Sequence, residues 1–439
     1  MTDPRTGLQG ERPATPTAHH TGDWPIPSPL DPDPTAAVGF VLRIGEALHS
    51  TGYAAHRIET VMEKVAGQLG LQGQFFATPT SIFAAFGPLE RQRTHLMRVG
   101  AADDDLGRLA DLDEVVGRVM TGDLSPADGS RQIDKIMTAP ARYPGLWTVV
   151  AYGLLSAGGA RFLGGGLLEI STAAGIGLLV GLLAQLAGMI PPLGRVFVPL
   201  AAFIASLIAA LLSVSLPGIT VFLVTLAGLI VLLPGWTITT GMTELATRHL
   251  QAGISRLSHA FMLLISIIVG MAVGLRAATY IIGDIAPGAP VPLPDWTIYF
   301  ALFALPFGAA ILLRANKRDI PWVIASGVVA FLGGRIGARL LGPELGAFIA
   351  ALLVGMASNL YAWFTDRPTS VTLVPGVLLL VPGSIGFRGL ASLLDRKTLT
   401  GVETAFTALV IAAALTGGIL TATVLGPQRR RYRQDAFAN

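Results

Sequence analysis

Cysteine is absent from the 439 residues, so disulfides and thiolate metal sites are unavailable and the redox compartment leaves no mark. Charge is scarce: Asp, Glu, Lys and Arg make up 13% of the chain against 52% hydrophobic residues, and the formal net charge is only +3. So small a surplus leaves no electrostatic footprint for a nucleic acid. Three catalytic signatures are also missing: H-E-x-x-H, G-x-S-x-G and G-x-x-x-x-G-K-[ST]. The absence of the last argues against ATP-driven work by this polypeptide, and no cofactor is expected. What the chain has in quantity is glycine, 52 residues, with a mean hydropathy of +0.61. That balance excludes a large soluble protein and fits a polytopic helical protein of the lipid bilayer.

Residues 1–35 hold eight prolines and the pair His19-His20, a composition that cannot bury enough apolar surface to order itself, so a disordered tail is expected. From 36 to 144 the periodicities are those of an α+β domain. A helix from Ala36 to His49 breaks at Ser50-Thr51-Gly52. A second carries Ala55, Ile58, Met62, Val65 and Leu69 on one face. Strands follow at 74–78, 81–86 and 94–99, then two helices, the later capped by Ser125 with Pro126 in its first turn. Nothing before about 145 is apolar for long enough to be a signal peptide or a span, so this domain is expected to stay cytoplasmic.

Ten spans are expected beyond it, at 146–162, 167–190, 196–213, 217–233, 257–281, 296–313, 321–341, 345–364, 370–388 and 401–425. Small-residue spacings at Gly177/Gly181, Gly270/Gly274 and Gly333/Gly337 predict close helix contacts. One stretch is written twice: GLIVLLPGWTITTGMTEL at 228–245 and GVLLLVPGSIGFRGLASL at 376–393, an offset of 148. Pro234-Gly235 thereby meets Pro382-Gly383. The copies fall at the fourth and ninth spans, five apart, which makes the two halves, 145–283 and 295–425, inverted five-helix repeats. An even span count puts both termini on one side, and the basic tail at 426–439, with Arg429, Arg430, Arg431 and Arg433, marks that side as cytoplasmic.

Four motifs carry a resemblance over about residues 37–425. They are RIGEALHSTGYAAHRIETVMEKVAGQLGL with Gly52, Arg57, Glu59 and Met62; the ATPTSI turn at Pro79-Thr80; LIVLLPGWTITTGMTELA; and DRPTSVTLVPGVLLLVPGSIGFRG. Together they resemble the threonine/serine exporter (ThrE) family in its fused form, with both membrane halves in one chain. The resemblance implies a plasma-membrane exporter of threonine and serine. Without a nucleotide site, protons are the expected driving partner. Dicarboxylate export stays open through relatives associated with succinate, as does an enzyme or sensor acting through residues 36–144, and homo-oligomerisation is not decided.

Candidate site residues follow from the breaks. Pro234, Gly235, Pro382 and Gly383 either end their spans or unwind a helix, so that bare carbonyls and half-helix N-termini meet a substrate. Thr237, Thr239, Thr240 and Ser384 either bond a substrate hydroxyl or satisfy their own helix ends. Arg388 is a candidate for a substrate carboxylate. Glu169 could pair with Arg161 or carry a coupling proton. Glu244 precedes Arg248 by four residues, so it is either an ordinary surface pair with it or a coupling or gating group. Arg57 and Glu59, with His56 and Thr80, form either a polar cleft that gates the path or a solvated helix face. No metal site is expected.

Overall fold

The computed structural model describes residues 34–100, 103–380, 383–394 and 397–427. The tail up to 33, the terminal arginine cluster and Pro382 lie outside the described residues. The first helices are α1 (Pro34–Ser50) and α2 (Ala55–Gln68), joined through Gly52, whose φ of 79° is the left-handed turn a Cβ would strain. The 3-4 spacing on α2 buries Ala55, Ile58, Met62 and Val65, while Leu69 caps its end. Burying each large side chain stabilises the fold by about 1.5–3 kcal/mol. An antiparallel sheet follows, β1 (Gly73–Thr78), β2 (Ser81–Phe86) and β3 (Arg93–Arg98), in that spatial order. The β1–β2 hairpin turns at Pro79-Thr80, with Thr78 opposite Ser81. Phe75, Ala77, Ile82, Ala84 and Phe86 point into the same core as α2. Two helices close the unit, α3 (Leu106–Met120), capped by Asp105, and α4 (Pro126–Thr138), capped by Ser125 ahead of Pro126.

The remainder is helical: α5 (Gly145–Phe162), α6 (Leu167–Met189), α7 (Pro191–Ser215), α8 (Val221–Gly228), α9 (Gly235–Ala246), α10 (Leu250–Ile282), α11 (Ile298–Leu312), α12 (Ile320–Thr365), α13 (Ser370–Leu378), α14 (Gly383–Leu394) and α15 (Thr398–Leu425). α12 is two helices joined across Gly342, whose φ of 85° is non-helical. Among the described residues eight helical stretches are long and apolar enough to cross a membrane, and a ninth if the bent pair of α8 and α9 is one span. The first expected span is α5, which falls outside that set because four glycines and Arg161 dilute its apolar content. The 148-residue offset extends beyond the motif. α9 and α14 start and end in register under it, and Leu250 of α10 maps onto Thr398 of α15.

All three small-residue spacings are close contacts. Gly177 and Gly181 of α6 lie on Tyr152 of α5, and Gly270 and Gly274 of α10 lie on Pro199, Ala202 and Phe203 of α7. Gly333 and Gly337 lie on Ala350 and Gly346, across the kink of α12. A side chain at Gly274 or Gly337 would run into backbone.

The N-terminal unit is tied to the helices by polar contacts. The expected Glu244–Arg248 pair does not form: α9 stops at Ala246 and Arg248 turns left-handed, φ 67°, so the four-residue helical spacing is lost. Instead Glu244, fully buried, accepts from Arg256 Nε of α10 at 3.1 and 3.0 Å and from the Ala55 N–H of α2 at 3.1 Å. One carboxylate thus satisfies an orphan N–H at the start of α2 and a partly buried cation. A second tie links Glu59 Oε2 to His249 Nε2 at 3.1 Å, while Glu59 Oε1 accepts from Ala77 N–H at 2.7 Å. At the far side the Leu106 N–H donates to the Leu313 carbonyl at 2.9 Å, and Tyr143 donates to the Ala315 carbonyl at 2.8 Å.

Glu244→Ala should cost about 3 kcal/mol by stranding Arg256 and the Ala55 N–H. The checks are a lower melting temperature in detergent and faster tryptic cleavage within residues 34–142. Gly274→Leu and Gly337→Leu should each cost about 1–3 kcal/mol by overpacking, whereas Gly175→Ala, with nothing within 4 Å of its added Cβ, should leave the melting temperature unchanged or raised.

Candidate functional site

The first Pro-Gly stretch breaks its helix. After α8 the chain makes one short 3-10 turn, Ile230–Leu232, and restarts as α9 at Gly235, bent by 55°. Pro234 has no N–H to donate, and the Gly235 N–H goes to the Leu233 carbonyl at 2.8 Å, outside any α-helical pattern. In the second copy α13 ends at Leu378 and α14 starts at Gly383, and the two count together as one apolar span without the sharp bend of the first pair. The two restarts touch: a Cβ on Gly383 would stand 3.2 Å from Gly235 Cα and 3.3 Å from Gly235 N. A Cβ there would be tight, so the facing backbone would have to give by a few tenths of an ångström. Two helix N-termini, each equivalent to roughly half a positive charge, therefore meet at one point.

That point opens on a cavity with about 1000 Å³ of empty space, its mouth included, bordered by Gly235, Gly383 and Ser384 and otherwise by apolar side chains such as Leu155, Phe162, Ile230 and Leu379. A second, smaller crevice of about 610 Å³, mouth included, lies between the N-terminal unit and the helices. Adjacent residues of α9 open on different spaces: Gly235 on the cavity, Trp236 on the crevice.

Polar groups concentrate in the crevice. α2 brings His56 and Arg57, the segment before α3 brings Asp104, α9 brings Thr239, Thr240 and Thr243, and α13 brings Ser370. Arg57 Nη1 donates to Ser370 Oγ at 2.9 Å, and its guanidinium carbon lies 5.7 Å from the Tyr53 ring centre. Asp104 packs against Gly52, where any Cβ would collide with its carboxylate. The carboxylate faces the crevice, yet the surrounding protein desolvates it, raising its pKa to about 6 against the opposing pull of Arg256. Desolvation, followed by the charge of Arg57, pushes His56 down to about 4, so its imidazole is neutral near pH 7. Two buried polar atoms lining the crevice, Thr240 Oγ1 and His56 Nδ1, have no hydrogen-bond partner among the described residues.

The expected site residues thus divide. Gly235, Gly383 and Ser384 share the cavity, and Arg57 and Thr240 share the crevice with His56 and Thr239. Pro234 sits buried at the start of α9, while Thr237 borders neither space. Thr239 donates to the Gly235 carbonyl at 3.2 Å, satisfying its own helix. Arg388 is exposed on α14 and borders neither space. Glu169 does not pair with Arg161. It is buried and accepts from the Gly166 and Thr220 N–H groups at 2.9 and 3.2 Å, whereas Arg161 donates to Thr297 Oγ1 at 2.7 Å. Thr80 is exposed on the hairpin turn, outside the crevice.

Sequence reasoning missed Asp104, Arg256 and His249, which have no motif around them, and passed over Ser370 although it closes the DRPTS motif. It also missed Asp319, nearly buried, which accepts from Tyr361 at 3.0 Å and from Arg367 at 2.5 Å. Arg367 belongs to the DRPTS motif, the one signal that pointed there. No group of three or more metal-ligating side chains occurs among the described residues.

Comparison with known proteins fits this architecture. The profile described as "Putative threonine/serine exporter" matches residues 39–278, and the one described as "Threonine/Serine exporter, ThrE" matches 297–425. Similar relatives named pheromone-regulated membrane protein 10 occur in Candida albicans (strain SC5314) and Saccharomyces cerevisiae (strain YJM789). The first is 27% identical over 399 residues, 87% of this chain and 35% of the relative. The second is 26% identical over 384 residues, 84% of this chain and 48% of the relative. The chain therefore spans less than half the length of these curated relatives. No solved structure matches. With one profile over the N-terminal unit and first set of helices and the other over the second set, the chain belongs to the threonine/serine exporter (ThrE) family of membrane transporters.

Proposed function

We propose that this chain exports threonine and serine across the plasma membrane as a secondary transporter. The observation that carries the reading is the meeting of two half-helix N-termini, at Gly235 and Gly383, on one cavity. A zwitterion's carboxylate suits those paired positive ends, and the apolar walls suit a small side chain. Glycine at both contacts leaves the breaks room to move against each other. In this reading ten spans form two inverted five-helix halves, α5 to α10 and α11 to α15, with each broken pair and each arm of α12 counted as one span. The halves alternate in opening the cavity to either side. The N-terminal α+β unit and both termini are cytoplasmic, and the proton gradient supplies the energy. Substrate contacts fall to Gly235, Gly383 and Ser384 at the cavity; Arg57, Thr240 and Glu244 serve the inner mouth.

The dicarboxylate reading, open through relatives associated with succinate, would be favoured by a need for Arg388, which is exposed and borders neither space. An enzyme or sensor confined to residues 36–144 would own only one wall of the crevice, since α9 and α13 supply the other.

Cells lacking their own exporters, loaded with a threonine-containing dipeptide, should release threonine faster with this chain than without it, and an uncoupler should abolish the difference. Gly235→Leu and Gly383→Leu should insert normally yet export at background. Export at the wild-type rate by either variant overturns the role of the breaks, and no protein-dependent release overturns the substrate.

A further inference from the structure

The crevice lies apart from the cavity at the breaks, and its polar groups are unusually uncommitted. Among the described residues no hydrogen bond or ion pair engages the Asp104 carboxylate. Arg57 spends one N–H on Ser370 and holds the rest of its donor fork available. Thr240 is 6% exposed and its hydroxyl is unpartnered, as is Nδ1 of the neutral His56. Leaving buried polar atoms unpaired costs about 1–3 kcal/mol each. Two such atoms, one on each wall, beside a free carboxylate and a guanidinium with spare donors, make sense where a ligand completes them.

We propose that this crevice binds a free α-amino acid bearing a small hydroxylated side chain, with Arg57 taking the α-carboxylate, Asp104 the α-ammonium, and Thr240 Oγ1 and His56 Nδ1 the side-chain hydroxyl. The charges match the two ends of a zwitterion. A dicarboxylate would set one of its carboxylates against Asp104. The hydroxyl pairing is a specificity device, because a ligand lacking the hydroxyl leaves Thr240 and His56 unpaired. Its place fits a waiting site on the cytoplasmic side: Trp236 and Gly235, neighbours on α9, face the crevice and the transport cavity respectively. Since α2 and the Asp104 segment form one wall and α9 and α13 the other, a bound amino acid draws the N-terminal unit onto the broken helices. Glu244 adds a fixed tie between the same elements. The assignment rests on the amino-acid reading above.

Asp104 supplies a second signature. The titratable and charged groups around it are Tyr53, His56 and Arg57, its neighbour Asp103, which is held by Arg314 at 3.3 Å, and Arg256 of α10, already committed to Glu244. With its carboxyl at about 6, a proton and a ligand ammonium compete for it in the mildly acidic range, while His56 stays neutral. The sign is therefore fixed: the ammonium contact is complete above that pKa and lost as pH falls through it.

The test is equilibrium binding to the full-length protein in nanodiscs, with L-threonine, threonine methyl ester, N-acetylthreonine, 2-aminobutyrate and succinate as probes. The wild type should prefer threonine by about tenfold over each analogue, and its Kd should rise about tenfold between pH 7 and pH 5. Asp104→Asn should lose both the preference over N-acetylthreonine and the pH dependence. Arg57→Gln should lose the preference over the methyl ester, and the near-isosteric Thr240→Val the preference over 2-aminobutyrate. A merely structural role would not move these preferences one by one. Monodisperse variants that keep every preference, with threonine export intact, overturn the crevice site and leave the transport reading standing. A wild type that binds succinate in place of threonine and exports no threonine removes both.

Discussion

A proline inside an apolar helix removes a hydrogen bond that lipid cannot replace, and the architecture of this chain depends on where that loss is placed. The helix ends at Gly228, makes a short turn and restarts at an angle just after Pro234, and α14 of the second copy starts against it. Freed backbone groups in such a place are tolerated only when they are buried in protein or line a cavity. Here they do both. The contact between Gly235 and Gly383 brings two positive helix ends together, and the surrounding helices leave space beside it. Small residues elsewhere, at Gly177, Gly274 and Gly337, let the neighbouring helices close tightly around that weak point.

The N-terminal unit is coupled to this centre through charge. Glu244 lies on the same short helix as Gly235, so the carboxylate that holds α2 and Arg256 is part of the element that forms the break. Any rotation of α9 must either carry α2 with it or break a buried, fully bonded carboxylate. Glu59 and His249 make a parallel tie at the foot of α10. The unit is thus physically tied to the element that forms the first break.

Much of the fold was legible in the sequence, and for local reasons. The 3-4 spacing on α2, the alternation in β1 and β2 and the Ser125-Pro126 cap are read within one or two turns of chain, and the structure has each in place. The repeat exposed the breaks because two copies in register are hard to produce by chance composition. The polar site was much less legible. Thr240 and Arg57 were visible as candidates, but Thr237 and Arg388 looked equally suitable, since a helix surface drawn from sequence does not say which side meets another element. Glu244 was misread because a four-residue spacing presumes an unbroken helix, and Arg248 lies past its end.

Composition, apolar runs and the doubled Pro-Gly stretch determined by themselves that this chain is a polytopic helical membrane protein with one motif written twice. Those are properties of short segments, set by hydrogen-bond loss and transfer of side chains from water. Only the tertiary structure decided that the two breaks touch, that Glu244 reaches an N–H 189 residues away, and that Arg57 meets Ser370 across 313. It also decided that Asp104 faces the same crevice as Thr240. Such pairings follow from how the packed helices bring distant backbones together, and no local pattern of residues encodes that distance.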